Sequence, residues 1–201
     1  GKNATVPFIN GCDNSYHPCQ ILADALTILE KFGTLDVNLM YIGAKNNVFN
    51  SHVEFFSKMK KGTLYGLTPL VNETACGPDF YEEAKKSGHY IELDPAMSME
   101  EAKEYANKMD VLYTDTWVDM EFFNNPAYQK QKEETLAKMM PYQLNGDFTK
   151  DSKAIVFHDM PMHVGFEISQ DVVDKNLDHI LDEAENRRHA EKAVMYTLLN
   201  S

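Results

Sequence analysis

The chain has 201 residues, 43% of them hydrophobic and 25% charged, with a formal net charge of −12. That length suits one good-sized domain or a domain plus part of another, and the apolar share argues for a packed core. The negative balance opposes nucleic acid as a partner, the apolar runs are too short for a bilayer, and no signal peptide opens the chain, so a cytoplasmic location without membrane contact is expected.

In chain order, Val6–Ile9 reads as a short apolar strand. Pro18 opens a helix to about Lys31 that Gly33 closes, with Leu22, Ala25, Leu26 and Leu29 as its core stripe. Val37–Ile42 is a buried strand, and a helix follows from about Asn47 to Lys60. Thr63–Leu67 is a strand, Pro78–Ser87 a helix and Tyr90–Leu93 a strand. Ser98, with Glu101 three residues on, predicts a capping box. Val111–Tyr113 is a strand, Pro126–Met139 a helix and Ala154–Phe157 a strand, and the last helix runs from about Asn176 to Leu199. The alternation predicts an α/β fold: a mostly parallel sheet with helices on both faces.

In such sheets ligands bind beyond the carboxyl ends of the strands. Unusual polar residues gather there: Asn46 and Asn47, then Asp115 and Trp117, then His158 and Asp159, each pair after a strand. His17 and Gln20 follow the first strand after a short loop. Each cluster alone is what a helix cap or turn looks like; together at one sheet edge they predict a site. His17 and Gln20 share a face at the partly positive end of their helix. An imidazole donor and an amide can hold a planar carbamoyl group. Asp115, a carboxylate at a strand's end, suits an ammonium group. No GxGxxG is present, and no His/Cys set has metal-ligand spacing, so neither a cofactor nor a metal is expected. The three cysteines, Cys12, Cys19 and Cys76, form no CxxC and suit a reducing compartment.

Longer segments carry a family resemblance. Pro7-Phe8-Ile9-Asn10-Gly11 with Tyr16-His17-Pro18-Cys19-Gln20-Ile21-Leu22-Ala23-Asp24 resembles the ornithine carbamoyltransferase family. So do Gly43-Ala44-Lys45-Asn46-Asn47-Val48, Tyr113-Thr114-Asp115-Thr116-Trp117-Val118-Asp119-Met120, Phe157-His158-Asp159-Met160-Pro161 and Ala184-Glu185-Asn186-Arg187 through Lys192-Ala193-Val194, in the family's order. The resemblance implies that His17, Gln20, Arg187 and the Met160 carbonyl contact carbamoyl phosphate, and that Asn47, Asp115 and Met120 hold the amino-acid substrate. Asp159 stands where the family has a catalytic-site Cys, and Asp119 where it has a Ser. Ala44, Lys45 and Glu121 also depart from the family pattern. The two added acids beside the substrate position suit a more cationic acceptor, such as a diamine, with ornithine the default.

The resemblance further implies a division of the chain. Residues 1–33 are the tail of the carbamoyl-phosphate-binding domain, 34–175 the amino-acid-binding domain, and 176–201 a helix that packs back on the first domain. The family's phosphate-binding Ser-Thr-Arg-Thr loop does not occur in this sequence. A fragment inactive by itself is therefore expected, from a complete enzyme that is a homotrimer or larger. A non-catalytic relative that kept the fold is the alternative. For Arg188, Glu191 and Lys192 a solvated helix face is the expectation.

Overall fold

The computed structural model describes residues 5–118 and 120–200. Its strands are β1 (Asn38–Lys45), β2 (Thr63–Val71), β3 (Tyr90–Glu92), β4 (Val111–Thr114) and β5 (Ile155–His158). They form one sheet, in the order β3-β2-β1-β4-β5, and every pairing is parallel. The helices are α1 (Pro18–Phe32), α2 (Asn47–Met59), α3 (Pro78–Lys85), α4 (Met99–Ala106), α5 (Met120–Phe123), α6 (Gln129–Met139) and α7 (Gln170–Leu199). The chain steps outward from β1 to β2 to β3, then crosses back to lay β4 on the other side of β1. That reversal opens a crevice beyond the carboxyl ends of β1 and β4.

Alternation along β1 fills both faces of the sheet. Leu39 and Tyr41 pack with Val48, Phe49, Val53 and Phe56 of α2 and Tyr81 of α3. Met40 and Ile42 pack with Ala102 and Ala106 of α4 and Val172, Val173 and Ile180 of α7. A sheet covered on both sides reads as a continuous apolar run, as β1 does. Gly66 in β2 leaves room for the Phe49 ring; a Cβ there would meet Phe49 Cζ at 2.7 Å.

The predicted fold class and most element positions agree with this architecture. The capping box forms, with Ser98 accepting from Glu101 N–H and the Glu101 side chain returning to the Ser98 backbone. Gly33 caps α1 at φ 69°, its N–H bonding to the Leu29 carbonyl.

Three elements differ. Val6–Ile9 is not a strand: Val6 and Phe8 are 71% and 78% exposed, and among the described residues no strand edge pairs with the segment. An extended apolar stretch needs a neighbouring edge for its backbone groups, and its own residues cannot supply one. The stripe assigned to α1 is only partly inward: Ala25 is buried and Leu26 half-buried. Leu22 and Leu29 are 37% and 46% exposed, while Gln20, Ala23, Asp24, Thr27 and Ile28 are buried. The last helix begins at Gln170, one residue after Ser169, so that Val172 and Val173 reach the sheet. In addition, the Pro126 segment opens as a 3-10 turn (Pro126–Tyr128) before α6.

Candidate active site

Five of the residues singled out in the sequence converge at the crevice. Pro18 sets the first turn of α1, which places His17 as its N-cap and Gln20 inside the first turn. β5 ends at His158, so Asp159 and Met160 lie beyond its carboxyl end. α7 runs back past α1 and brings Arg187 over both. Gln20, His158, Asp159, Met160, Ala184 and Arg187 line a cleft of ≈ 140 Å³.

Arg187 is the hub. Its guanidinium donates to the Gln20 carbonyl oxygen and to Asp159 Oδ1. His17 Nε2 stands 3.9 Å from Asp159 Oδ2. Burial, then the Arg187 charge, pushes the His17 imidazole down to about 4, so it is neutral at physiological pH. Burial, then Asp115, pushes Asp159 up to about 9, while Arg187 pulls the other way. Burial raises the carboxyl groups of Asp24, Asp115, Asp159 and Glu183, and the Arg187 charge opposes this at Asp24 and Asp159. One positive charge cannot hold four buried anions, so the cluster carries protons at neutral pH.

Asp115 is buried at the end of β4. Its Oδ2 accepts from Asn46 Nδ2 at 2.7 Å and its Oδ1 from the Thr116 N–H at 2.6 Å. Asn46 also caps α2, accepting from Phe49 N–H at 2.9 Å. Within the Asn46-Asn47 pair, Asn46 is thus the residue joined to Asp115. Asn47 turns toward the opening segment, donating to the Asp13 carbonyl at 2.9 Å. Met120 opens α5 and is 48% exposed. Asp119 lies outside the described residues.

Several participants were missed in the sequence. Asp24 and Glu183 are both fully buried, and both accept from Gln20 Nε2, each at 2.8 Å. Behind Asp24 stands His52, fully buried, with Nε2 3.1 Å from Asp24 Oδ2. Glu167, also buried, faces His158 Nε2 at 3.1 Å and accepts from the His163 N–H. A signal existed: Asp24 lies four residues after Gln20 and Glu183 four before Arg187, so each pair shares a helix face. Acidic residues on helices read as solvated by default, and only packing shows otherwise.

Chemically, the cleft offers one guanidinium, one neutral imidazole nearby and one amide oxygen turned outward, beside a carboxyl group. Such a set suits a small, planar, polar group that bears both a donor and an oxygen acceptor. Among the described residues no cluster of His, Cys, Asp and Glu is arranged to hold a metal ion. No helix there is long and apolar enough to cross a membrane.

Residues 35–198 match the family model described as aspartate/ornithine carbamoyltransferase, Asp/Orn binding domain. An ornithine carbamoyltransferase of Chlorobaculum tepidum is 36% identical over 99% of this chain and 56% of its own length. One of Pyrococcus horikoshii is 37% identical over 98% of this chain and 60% of its own length. The chain therefore spans a little over half the length of these curated relatives. Among solved structures, ornithine carbamoyltransferase from Pyrococcus furiosus superposes with a TM-score of 0.77 at 35% identity, covering 96% of this chain and 60% of that one. The anabolic enzyme from Campylobacter jejuni gives 0.81 at 25% identity, covering 99% and 64%.

Proposed function

This chain belongs to the aspartate/ornithine carbamoyltransferase family, and from that premise we propose that the protein it forms part of transfers a carbamoyl group from carbamoyl phosphate to an amine. The observation that carries the reading is the convergence of Gln20, Asp159, Met160 and Arg187 on one cleft, with His17 at its side. A neutral amine attacks the carbonyl carbon, a tetrahedral oxyanion forms, the carbon–oxygen bond to phosphate breaks, and the amine's proton leaves with the departing phosphate. His17 and Arg187 stabilise the developing negative charge as fixed donors in a site shielded from water. Gln20 and the Met160 carbonyl orient the carbamoyl NH2. Asp115, Asn47 and Met120 position the acceptor, together with Asp119.

Residues 1–33 belong in this reading to the tail of a carbamoyl-phosphate domain, 34–175 to the amine-binding domain, and 176–201 to the helix that returns to the first. The complete protein is a cytoplasmic homotrimer or larger assembly, and the isolated chain is inactive. Ornithine is the default acceptor. Asp159, half-buried against Arg187, adds a carboxyl group to the pocket; a cationic tail that draws off its proton is favoured there over a carboxylate.

A second reading, a carbamoyltransferase-like binding protein without transfer activity, draws on one observation: Asp159 already occupies the guanidinium of Arg187. The deciding experiment assays ureido product from the complete protein, with carbamoyl phosphate and ornithine, lysine, putrescine or agmatine. Product with one amine establishes the transferase and names its acceptor. A folded protein that binds carbamoyl phosphate and yields no product with any amine supports the second reading.

A further inference from the structure

The Gln20 amide is held from behind by groups that touch neither cleft nor solvent. Gln20 is 2% exposed, and Asp24, His52 and Glu183 are each 0% exposed. His52 Nδ1 lies 3.0 Å from the carbonyl of Val48, one turn earlier in α2. A carbonyl oxygen only accepts, so Nδ1 carries the ring hydrogen. In a neutral ring that leaves Nε2 bare, and Nε2 faces Asp24 Oδ2 at 3.1 Å. Among the described residues neither atom has another hydrogen-bond partner. Two lone pairs do not face each other at that distance in a dry interior without a proton between them.

The proton's place follows from burial. An imidazolium–carboxylate pair here would hold two charges in the core, whereas a carboxylic acid donating to a neutral imidazole holds none. Burial acts in the same direction on both groups, pushing His52 down to about 4 and Asp24 up to about 7. Glu183 sits differently. Its Oε1 accepts from Gln20 Nε2 at 2.8 Å and its Oε2 from the His158 N–H at 2.9 Å, so both oxygens face donors. Burial, then the Asp24 charge and a hydrogen bond with Asp24, raise Glu183 as well, and the same bond lowers Asp24; an uncharged Asp24 removes the charge contribution.

We propose that Asp24 is an uncharged, proton-bearing positioning residue that, backed by His52 and paired with the two acceptor oxygens of Glu183, locks the Gln20 amide with its carbonyl oxygen toward the cleft. Both Gln20 N–H bonds are consumed inward, on Asp24 Oδ1 and Glu183 Oε1. A flipped amide would set its oxygen against two carboxyl oxygens and its NH2 against Arg187. Gln20 therefore enters the site as an acceptor only, bonded to Arg187 now and free to take a hydrogen from a ligand NH2. The consequence for turnover rests on the carbamoyl-transfer reading; the proton placement does not.

The test separates the two acids. In Asp24→Asn, the new NH2 donates to His52 Nε2 and the amide oxygen still accepts from Gln20, which reproduces the protonated acid. In Glu183→Gln, one amide N–H must face another N–H, whichever way the side chain turns. The folding equilibrium of D24N, by urea unfolding of the 201-residue chain, is expected within about threefold of the parent, while E183Q and D24A lose about tenfold to a hundredfold. With histidine labelled with ¹⁵N, His52 is expected to show a protonated Nδ1 and a bare, hydrogen-bonded Nε2 near neutral pH, in the parent and in D24N alike. In the complete protein, E183Q is expected to raise KM for carbamoyl phosphate about tenfold or more and D24N to change it little. A protonated Nε2 on His52, or a chain that tolerates E183Q and not D24N, overturns the proposal. Should E183Q fail to fold, the His52 spectra and D24N still decide it. A complete protein with no transfer activity refutes the functional reading alone, since the spectra and the stability order stand apart from it.

Discussion

Helices α1 and α2 cover the same face of the sheet, yet they are built in opposite senses. α2 turns its large apolar residues Val48, Phe49, Val53 and Phe56 inward, beside the buried Asn50, Ser51 and His52, and Lys58 and Met59 lie toward solvent. α1 turns Gln20, Asp24 and Thr27 inward and leaves Leu22, Leu29 and Phe32 partly exposed, at 37%, 46% and 37%. The polar residues of α1 are tied to α7: Gln20 to Glu183 and Arg187, and Thr27 to Asn186 at 3.0 Å. α2 therefore serves the core, while α1 serves the site with its polar side and presents apolar surface outward. Large apolar side chains left exposed mark a contact surface. The far end of α7 does the same, with Tyr196 and Leu199 exposed at 72% and 80%. Relatives that extend well beyond this chain fit the proposal that the rest of the protein packs here.

The sharpest way to break the comparison is Phe49→Ala in α2. Loss of a fully buried ring is expected to cost about 3–5 kcal/mol of stability, read by urea unfolding. If F49A costs no more than a change on the outer side of α1, the two helices are not built in opposite senses. Next is Arg187→Ala in the complete protein. It is expected to lower kcat/KM for ureido product by about 10²–10³, the loss typical of one transition-state donor. It also removes the cation paired with Asp159, and the accompanying loss of stability is limited because the arginine is partly exposed and Asp159 can hold a proton instead. An R187A enzyme with full activity would remove α7 from the site.

Titration probes the polar side of α1 as a whole. Asp24 and Asp159 have folded values of about 7 and about 9 against ordinary values of 3.8, so between these limits the folded chain binds more protons than the unfolded chain. His17 and His52, depressed from 6.5 to about 4, act oppositely, and only below 6.5. Stability is therefore expected to fall as pH rises from 6.5 toward 9, by thermal or urea unfolding across that range. A curve that rises over this interval would mean that the cluster is fully ionised in the folded chain. The smallest effect belongs to the outer face. Leu22→Gln with Leu29→Gln is expected to change stability by no more than about 0.5 kcal/mol per site. The pair should nonetheless reduce self-association at high concentration, measured by light scattering. A parent chain that is already monodisperse and monomeric would leave that face without a role in self-association.

The sequence by itself determined the alternation of strands and helices, because buried parallel strands need apolar runs and helices need caps and stops. Ser98 with Glu101, Pro18 and Gly33 could be read at sight, since each acts within a few residues of itself. His17, Gln20, Asp115, Asp159 and Arg187 were also legible, as unusual residues at strand ends or inside quoted motifs. Which face of α1 is inward was decided only by tertiary structure. Leu22, Ala25, Leu26 and Leu29 have helical spacing, but so do Gln20, Asp24 and Thr27, and spacing does not say what lies opposite. What lies opposite is α7, some 160 residues away in sequence, whose Glu183 and Arg187 complete the hydrogen bonds that let polar side chains be buried. The same holds for the proton between Asp24 and His52. It follows from a 3.1 Å approach of two groups on different helices, and no local pattern carries that distance.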